Sequence, residues 1–392
     1  MKQILAITAM NIRTILQRSG ASIVIIVGIA GSVAVMVSLL AMAEGLNKTI
    51  ASTGQDDRAL IFREGSNSEL SSGIAMTDLA IIENTQGIKK SEDGPMIAAE
   101  IFTIIDVKKK GAVDTSNLPL RGVQEMSFKI RPELKIIEGV NFFPGRGEVI
   151  VGKGAASEFE GLEIGKPIKI RDSEWTVVGI FSTGGDVHES EVWADLAVIQ
   201  GAFRRGASAS IAIVQMEKNA SITDFAATLE LDPRLNLKVQ GEADFYLEQS
   251  SGASVVIQAF GYAVAIIMAI GAVFAALNTM YSAVSTRLVE IGTLRAVGFH
   301  GSSVLFALMI ESMFLALLGG LLGAGLSYLI FNGYTVSTLA SASFTQTAFD
   351  FAVTGEIIGQ GLILALIVGF LGGLLPARRA ATQEITEALR AI

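Results

Sequence analysis

Cysteine is absent from the 392 residues, and histidine occurs only twice. Without thiols there is no disulfide and no thiolate metal site, and so few imidazoles leave a membrane-bound enzyme few nucleophile or metal constellations. The pattern G-x-x-x-x-G-K-S/T is missing too, so no nucleotide is bound through a phosphate loop of this chain. Charge is scarce: 17% of residues are charged against 51% hydrophobic. The deficit is concentrated in four runs, each long enough to supply the roughly 20 helical residues that cross about 30 Å of hydrocarbon. A basic face is also lacking, because the net charge is -8 and the stretch 44–248 holds 22 basic against 32 acidic residues. Such a surface is unsuited to nucleic acid.

What is present divides the chain in order. Residues 1–19 place Leu5, Ala9, Ile12 and Leu16 on one helical face and Asn11, Thr14 and Arg18 on another, which predicts an interfacial helix. Residues 20–43 carry no charge except beyond their ends and follow Arg13 and Arg18, so the positive-inside rule places the N-terminus in the cytoplasm. Ala41, Met42 and Ala43 resemble a signal-peptidase site, but the apolar run far exceeds the about 7–15 residues of a cleaved segment and reads as a retained span. Gly28 and Gly31 within it are small enough for close helix packing.

Residues 44–248 are too many for a simple loop and predict a folded domain outside the cytoplasm. Strand signals occur at 147–152, at 168–170 where Ile168 and Ile170 alternate with Lys169 and Arg171, and at 175–181. Residues 78–84 and 221–229 read as short helices, so the domain is mixed α+β. Three features in it invite functional readings with plainer alternatives. Lys108, Lys109 and Lys110 before Gly111 read as a basic turn between strands. Gly152-Lys153-Gly154 has only the colour of a phosphate loop. His188 among Asp186, Glu189 and Glu191 reads as a solvated loop in preference to a metal site.

The second apolar run, 249–286, is uncharged and longer than a bilayer is thick, so its helix is expected to rise out of the membrane. A third span, 302–331, carries a single acid, Glu311, followed by Gly319, Gly320 and Gly323. A hydrogen bond from Glu311 to a neighbouring helix near the interface is favoured over a transport role. Residues 332–355 form a short outer connection with a strand at 349–351. A fourth span, 356–376, has Gly369 and Gly373 spaced for close packing, and Arg378 and Arg379 return the tail, 377–392, to the cytoplasm. The fold class is an α-helical membrane protein with four transmembrane helices and a large α+β extracytoplasmic domain inserted between helices 1 and 2.

Between the second and third runs lies a short amphipathic segment, 287–301. Leu288, Ile291 and Leu294 line one side at a spacing of three, while Arg287, Glu290 and Arg295 supply charge. Gly298 stands where a left-handed cap would end the helix, with Ser302 or Ser303 to cap the next. Physics alone leaves a surface helix and an ordinary solvated turn about equally open.

The run E-I-G-T-L-R-A-V-G at 290–298, after N-T-M at 278–280, resembles the signature of MacB-like and FtsX-like permeases of ABC transporters. The ordered set R-G-V at 121–123, E-G at 138–139, V-G at 151–152, I-G-K-P-I-K-I at 164–170 and W-T-V-V-G-I-F at 175–181 is similar to the family's periplasmic core domain. E-S at 311–312, G-G-x-x-G at 319–323 and P-A-R-R-A-A-T-Q-E-I-T-E-A-L-R at 376–390 also resemble the family pattern, with Ile385 where proline is frequent. The resemblance implies a coupling helix in which Arg287, Glu290, Ile291, Gly292, Leu294, Arg295 and Gly298 dock an ATPase subunit. It implies a homodimer or a related permease as second copy, ATP and Mg bound by the ATPase and no cofactor or catalytic residue here. Membrane lipids are further partners, and a periplasmic adaptor with an outer-membrane channel is a further expectation. The implied location is the bacterial inner membrane. Export of a periplasmic or membrane-derived substrate is the first reading; activation of a periplasmic partner or lipoprotein extraction is the second. A secondary transporter using Glu311 belongs to another class, against which the single intramembrane acid and the large outer domain argue.

Overall fold

The computed structural model describes residues 2–14, 19–340 and 345–390. Leu16, Gln17 and Arg18, used in reading the N-terminal segment, lie outside them. The chain forms two compact units, one of residues 1–44, 255–334 and 351–392, the other of residues 45–254 and 335–350.

The helices in chain order are α1 (Lys2–Thr14), α2 (Ser19–Ala51), α3 (Met76–Ile82), α4 (Glu125–Ile130), α5 (Lys153–Glu158), α6 (Leu196–Ala202), α7 (Ile222–Glu230), α8 (Glu242–Ser285), α9 (Leu288–Ala296), α10 (Gly301–Phe331), α11 (Gly355–Thr382) and α12 (Ile385–Arg390). Four of them, α2, α8, α10 and α11, are long and apolar enough to cross a membrane.

In the helical unit the core lies between these long helices, where Ile29, Val33 and Val37 of α2 meet Ala272, Leu315, Ala316, Ala365 and Val368. A second cluster gathers Ile7 of α1, Val284, Ile291, Val304, Leu308, Ala377 and Ala380. Thus α1 docks through Ile7, whereas Leu5, on the face picked out by its sequence spacing, is exposed. Ala41 and Ala43 are buried in the middle of α2, within a continuous helix. With 44 residues, α8 is about 66 Å long, more than a bilayer's hydrocarbon requires.

Several boundaries differ from the sequence reading: α2 runs on from 43 to Ala51, and α8 begins at Glu242 ahead of 249. α11 runs through Pro376 to Thr382 rather than stopping there. Proline removes one backbone hydrogen bond, but Ala377 and Ala380 beyond it are fully buried, and that packing holds the helix on course. The break comes instead at Gln383, extended at φ -57 and ψ 138, so isoleucine at 385 does not fuse α11 to α12.

The inserted unit carries the strands β1 (Arg58–Arg63), β2 (Ile74–Ala75), β3 (Lys90–Ser91), β4 (Gly94–Pro95), β5 (Ile97–Lys108), β6 (Thr115–Val123), β7 (Lys135–Gly139), β8 (Glu148–Gly152), β9 (Pro167–Ile170), β10 (Ser173–Ser182), β11 (Val192–Asp195), β12 (Ser208–Ala209), β13 (Ile211–Gln215), β14 (Leu237–Gly241), β15 (Thr335–Ala340) and β16 (Thr345–Asp350). Ten form one mixed sheet in the order β14-β1-β13-β5-β6-β11-β8-β10-β7, with β9 beside β10. Its long strands are apolar on both faces, as the burial of Leu60, Ile61, Ile213, Val149 and Val151 shows.

The strands read at 147–152, 168–170 and 175–181 are β8, β9 and β10, and the short helices are α3 and α7, the latter capped by Ser221. The basic stretch at 108–110 ends β5 in a turn, with Gly111 at φ 74. Within the connection at 332–355, the paired strands β15 and β16 belong to the inserted unit: Ser190 Oγ accepts from the Ala348 amide at 2.8 Å and Lys109 meets Glu158 and Ser337.

Candidate functional site

The corner from α8 into α9 is built around Arg287. This residue precedes the first turn of α9 at φ -108 and ψ 5, which aims its side chain into the bundle rather than outward. The guanidinium is buried and donates to Glu311 of α10 at 3.0 Å. Charge in the sequence suggests that Arg287 shares a surface with Glu290 and Arg295; the structure buries Arg287, leaves Glu290 exposed and half-buries Arg295, with Arg287 and Glu290 lining one small cleft. Ile291 and Gly292 are likewise buried, and Leu294 is half-buried. Arg295 donates to the carbonyl of Gln383, pinning α9 to the break between α11 and α12.

The outward surface of α9 therefore consists of Val289, Glu290, Thr293, Ala296 and Val297. Gly298 closes the helix at φ 107, where its amide bonds Arg295 and the Phe299 amide bonds Leu294. The next helix is not capped by serine. His300 occupies the cap position, and Ser303 Oγ donates instead to Gln3 of α1 at 3.2 Å.

The glycines of α10 and α11 set how closely the long helices approach. A Cβ on Gly319 would stand 2.8 Å from the Ile26 carbonyl oxygen, and one on Gly323 would stand 2.3 Å from that of Ala30. Gly320 faces Ala365, Gly369 faces Ala316, and Gly373 faces Ser312, each too near for an added carbon. Ser312 Oγ donates to the Gly369 carbonyl at 2.7 Å, which fixes this contact. Gly28 and Gly31 of α2 have open space around them, so α2 receives the glycines of α10 rather than offering its own.

A second polar centre lies inside the inserted unit, and of its members Arg121, His188, Asp186 and Glu191 stood out in the sequence while Glu69, Glu100, Arg131 and Glu242 did not. Arg121, the first letter of the R-G-V motif, is fully buried on β6. It makes a two-pronged contact with Glu191 at 2.7 and 2.8 Å, and also bonds Glu69 at 2.8 Å and Glu100 at 3.0 Å. Arg131 bonds the other oxygen of Glu100 at 2.5 Å and lies 3.6 Å from Glu242, the first residue of α8. Arg58 grips Glu133 at 2.6 and 2.8 Å and reaches Glu242 at 3.4 Å. Such charges tolerate burial only because each is paired.

Burial pushes the Glu100 carboxyl upward, but Arg131 and Arg121 outweigh it and hold its pKa at about 2. For Arg121, burial works against the charge, and Glu191 and Glu69 more than restore it. A guanidinium inside an otherwise apolar strand, between Leu120 and Val123, was the available sequence signal for this centre.

His188 joins the same centre, and the solvated loop expected for it is not found. It is 1% exposed, edge-on to Trp193 and Tyr246, with Nδ1 3.4 Å from Asp186 and Nε2 3.4 Å from the Tyr246 hydroxyl. Burial lowers its pKa, yet Asp186 and Glu191 carry it above the ordinary value. The Glu189 carboxylate is occupied in accepting from Ser182 and the amides of Thr183, Gly184 and Gly185. Among the described residues no group of three His, Asp or Glu is arranged to hold a metal ion. Gly152-Lys153-Gly154 leads into α5, with Gly152 against the Glu189 carbonyl and its amide donating to the Glu191 carbonyl at 2.9 Å.

Residues 22–231 match the MacB-like periplasmic core domain, and residues 262–385 match the FtsX-like permease C-terminal family. An uncharacterised ABC transporter permease of Methanocaldococcus jannaschii is 26% identical over 251 residues, covering 62% of this chain and 61% of that protein. The macrolide export ATP-binding/permease protein MacB of Vibrio parahaemolyticus is 34% identical over 127 residues, covering 32% of this chain and 18% of that protein. The chain thus spans about three fifths of the first relative and under a fifth of the second. The crystal structure of the periplasmic region of MacB from Actinobacillus actinomycetemcomitans aligns with 53% of this chain and 98% of its own, at 12% identity and a TM-score of 0.38.

Proposed function

Because this chain belongs to the MacB-like and FtsX-like permeases of ABC transporters, we propose that it transmits ATP hydrolysis on an ATPase subunit into movement of its inserted domain, driving export of a periplasmic or membrane-derived substrate. The observation that carries the proposal is α9. A short helix between two long apolar ones presents Val289, Glu290 and Val297 outward while Arg287 and Arg295 tie it to α10 and to the α11–α12 break. A load on its outer face would pass into packed helices rather than into a loose loop.

In this scheme closure of two ATPase subunits, each binding ATP and Mg, displaces α9 of each of two permease copies. The displacement travels along α8, whose first residue, Glu242, is held by Arg58 and Arg131. The inserted domain then works outside the inner membrane, with both termini in the cytoplasm, and hands substrate to an adaptor and outer-membrane channel. No residue of this chain reacts. The guanidinium 3.0 Å from Glu311 supports this reading over ion-coupled transport, since it keeps that carboxylate engaged.

The test is co-purification of the chain in nanodiscs with an ATP-binding subunit, followed by ATP hydrolysis by wild type, Glu290→Lys and Arg295→Glu. A stable complex with turnover lowered in both variants is expected. Failure of any ATPase to associate, or turnover indifferent to both changes, would sink the coupling scheme.

A further inference from the structure

The inserted unit holds a cleft of about 750 Å³ lined by Arg58, Lys89, Met96, Lys129, Lys135 and Ile137, and also by the acids Asp57 and Glu133. Of the side chains that line it, four are basic and two acidic. Arg58 is engaged by Glu133 and Glu242, Lys129 by Asp93 at 2.6 Å, and Asp57 accepts from Gln215 at 2.5 Å. That leaves Lys89 and Lys135, both exposed, and among the described residues neither ammonium has a carboxylate partner. Two unengaged ammonium groups thus stand at one concave place, in a segment whose acids outnumber its bases. Beside it, Pro132 and Ile137 give an exposed apolar wall, and Met96 and Ile130 line the depth.

We propose that this cleft binds an amphiphilic phosphate monoester, the phosphate between Lys89 and Lys135 and the apolar group along Pro132 and Ile137. The volume falls within the roughly 300–1,000 Å³ usual for small-molecule sites. Two flexible ammonium groups suit a phosphate as point charges, needing no planar fork. The Lys135 and Ile137 side chains, two residues apart on β7, share one side of that strand, which places charge and apolar contact side by side. Arg58 lines the same cleft and holds Glu242, so an occupant sits one ion pair from the start of α8. The site stands apart from the coupling scheme: it is measured without ATP or ATPase, and its failure leaves that scheme untouched.

The experiment uses the full chain in phosphatidylcholine nanodiscs, with naphthyl phosphate titrated by fluorescence and empty nanodiscs as background. Saturable binding is expected, weakened about tenfold or more by the double change K89Q and K135Q, and restored when both lysines are arginine. Naphthyl glucoside, which lacks the charge, is expected not to bind, and inorganic phosphate to bind more weakly. Competition by lysophosphatidate or by glycerol phosphate then separates a membrane-derived ligand from a soluble one, and displacement by either supports the site. Binding no greater than that of empty nanodiscs, undiminished binding in the double variant, or displacement by neither competitor would overturn it.

Discussion

The Arg287 guanidinium meets the Glu311 carboxylate at 3.0 Å, with both side chains under a tenth exposed, joining the corner before α9 to the third turn of α10. A membrane acid that sequence leaves without a stated partner is thereby matched to the base at the opposite end of the same turn. Removing one member takes this charged partner from the other in a low-dielectric interior.

Arg287→Ala and Glu311→Ala are each expected to destabilise the folded protein by about 3–5 kcal/mol. The double replacement Arg287→Met with Glu311→Leu should recover most of that loss, because both buried charges of the pair are then removed together. Thermal unfolding in a single detergent checks this. Single variants as stable as wild type would show that the pair contributes nothing.

Close helix approach gives a second prediction. Gly323→Ala places a methyl 2.3 Å from the Ala30 carbonyl and should cost about 1–3 kcal/mol or more, with Gly319→Ala behaving alike. Gly28→Ala and Gly31→Ala meet nothing within 4 Å and should be neutral or slightly stabilising. The same melting assay ranks the four, and equal effects would contradict the packing described.

Stability of the inserted domain should depend on pH from two sides. Glu100 titrates at about 2 when folded, below its ordinary value of 4.5, so its contribution is present above 4.5 and is lost as pH falls towards 2. Asp186, also depressed, adds to the same acid limb. The depression at Glu100 corresponds to about 3 kcal/mol.

His188 acts in the opposite sense. Its folded pKa is raised above 6.5, so its contribution is complete below that value and fades as pH rises through the folded pKa. The groups that face it are Asp186, Glu191, Tyr246 and Trp193, with Arg131 and Glu242 nearby in charge. Melting followed from neutral to mildly alkaline pH should fall in wild type and flatten in His188→Gln. An identical slope in the variant would remove His188 from this role.

Topology supplies a fourth test. A reporter inserted near Lys109 is expected to score outside the cytoplasm and one fused after Arg390 inside it. The reverse result would overturn the orientation drawn from Arg13, Arg18, Arg378 and Arg379.

Local pattern carried much of the architecture. Long apolar runs mark α2, α8, α10 and α11, alternation marks β9, and Gly298 marks the end of α9, because helix length, strand alternation and a left-handed cap each depend on neighbouring residues only. The partners of charged groups were not legible in this way. Arg121 finds Glu191 because β6 pairs with β11 in parallel, setting Trp193 opposite Arg121, and it finds Glu100 because β5 lies on its other side. That register brings together residues separated by 70 and 21 positions. His188 is buried by Trp193 and Tyr246, and Arg287 turns inward to Glu311, for the same reason. Chain order dictates which segments are helix or strand, while the pairing of a buried charge follows from which segments become neighbours. Only the folded arrangement sets that, since an uncompensated charge in the interior would cost more than the domain's packing can offset.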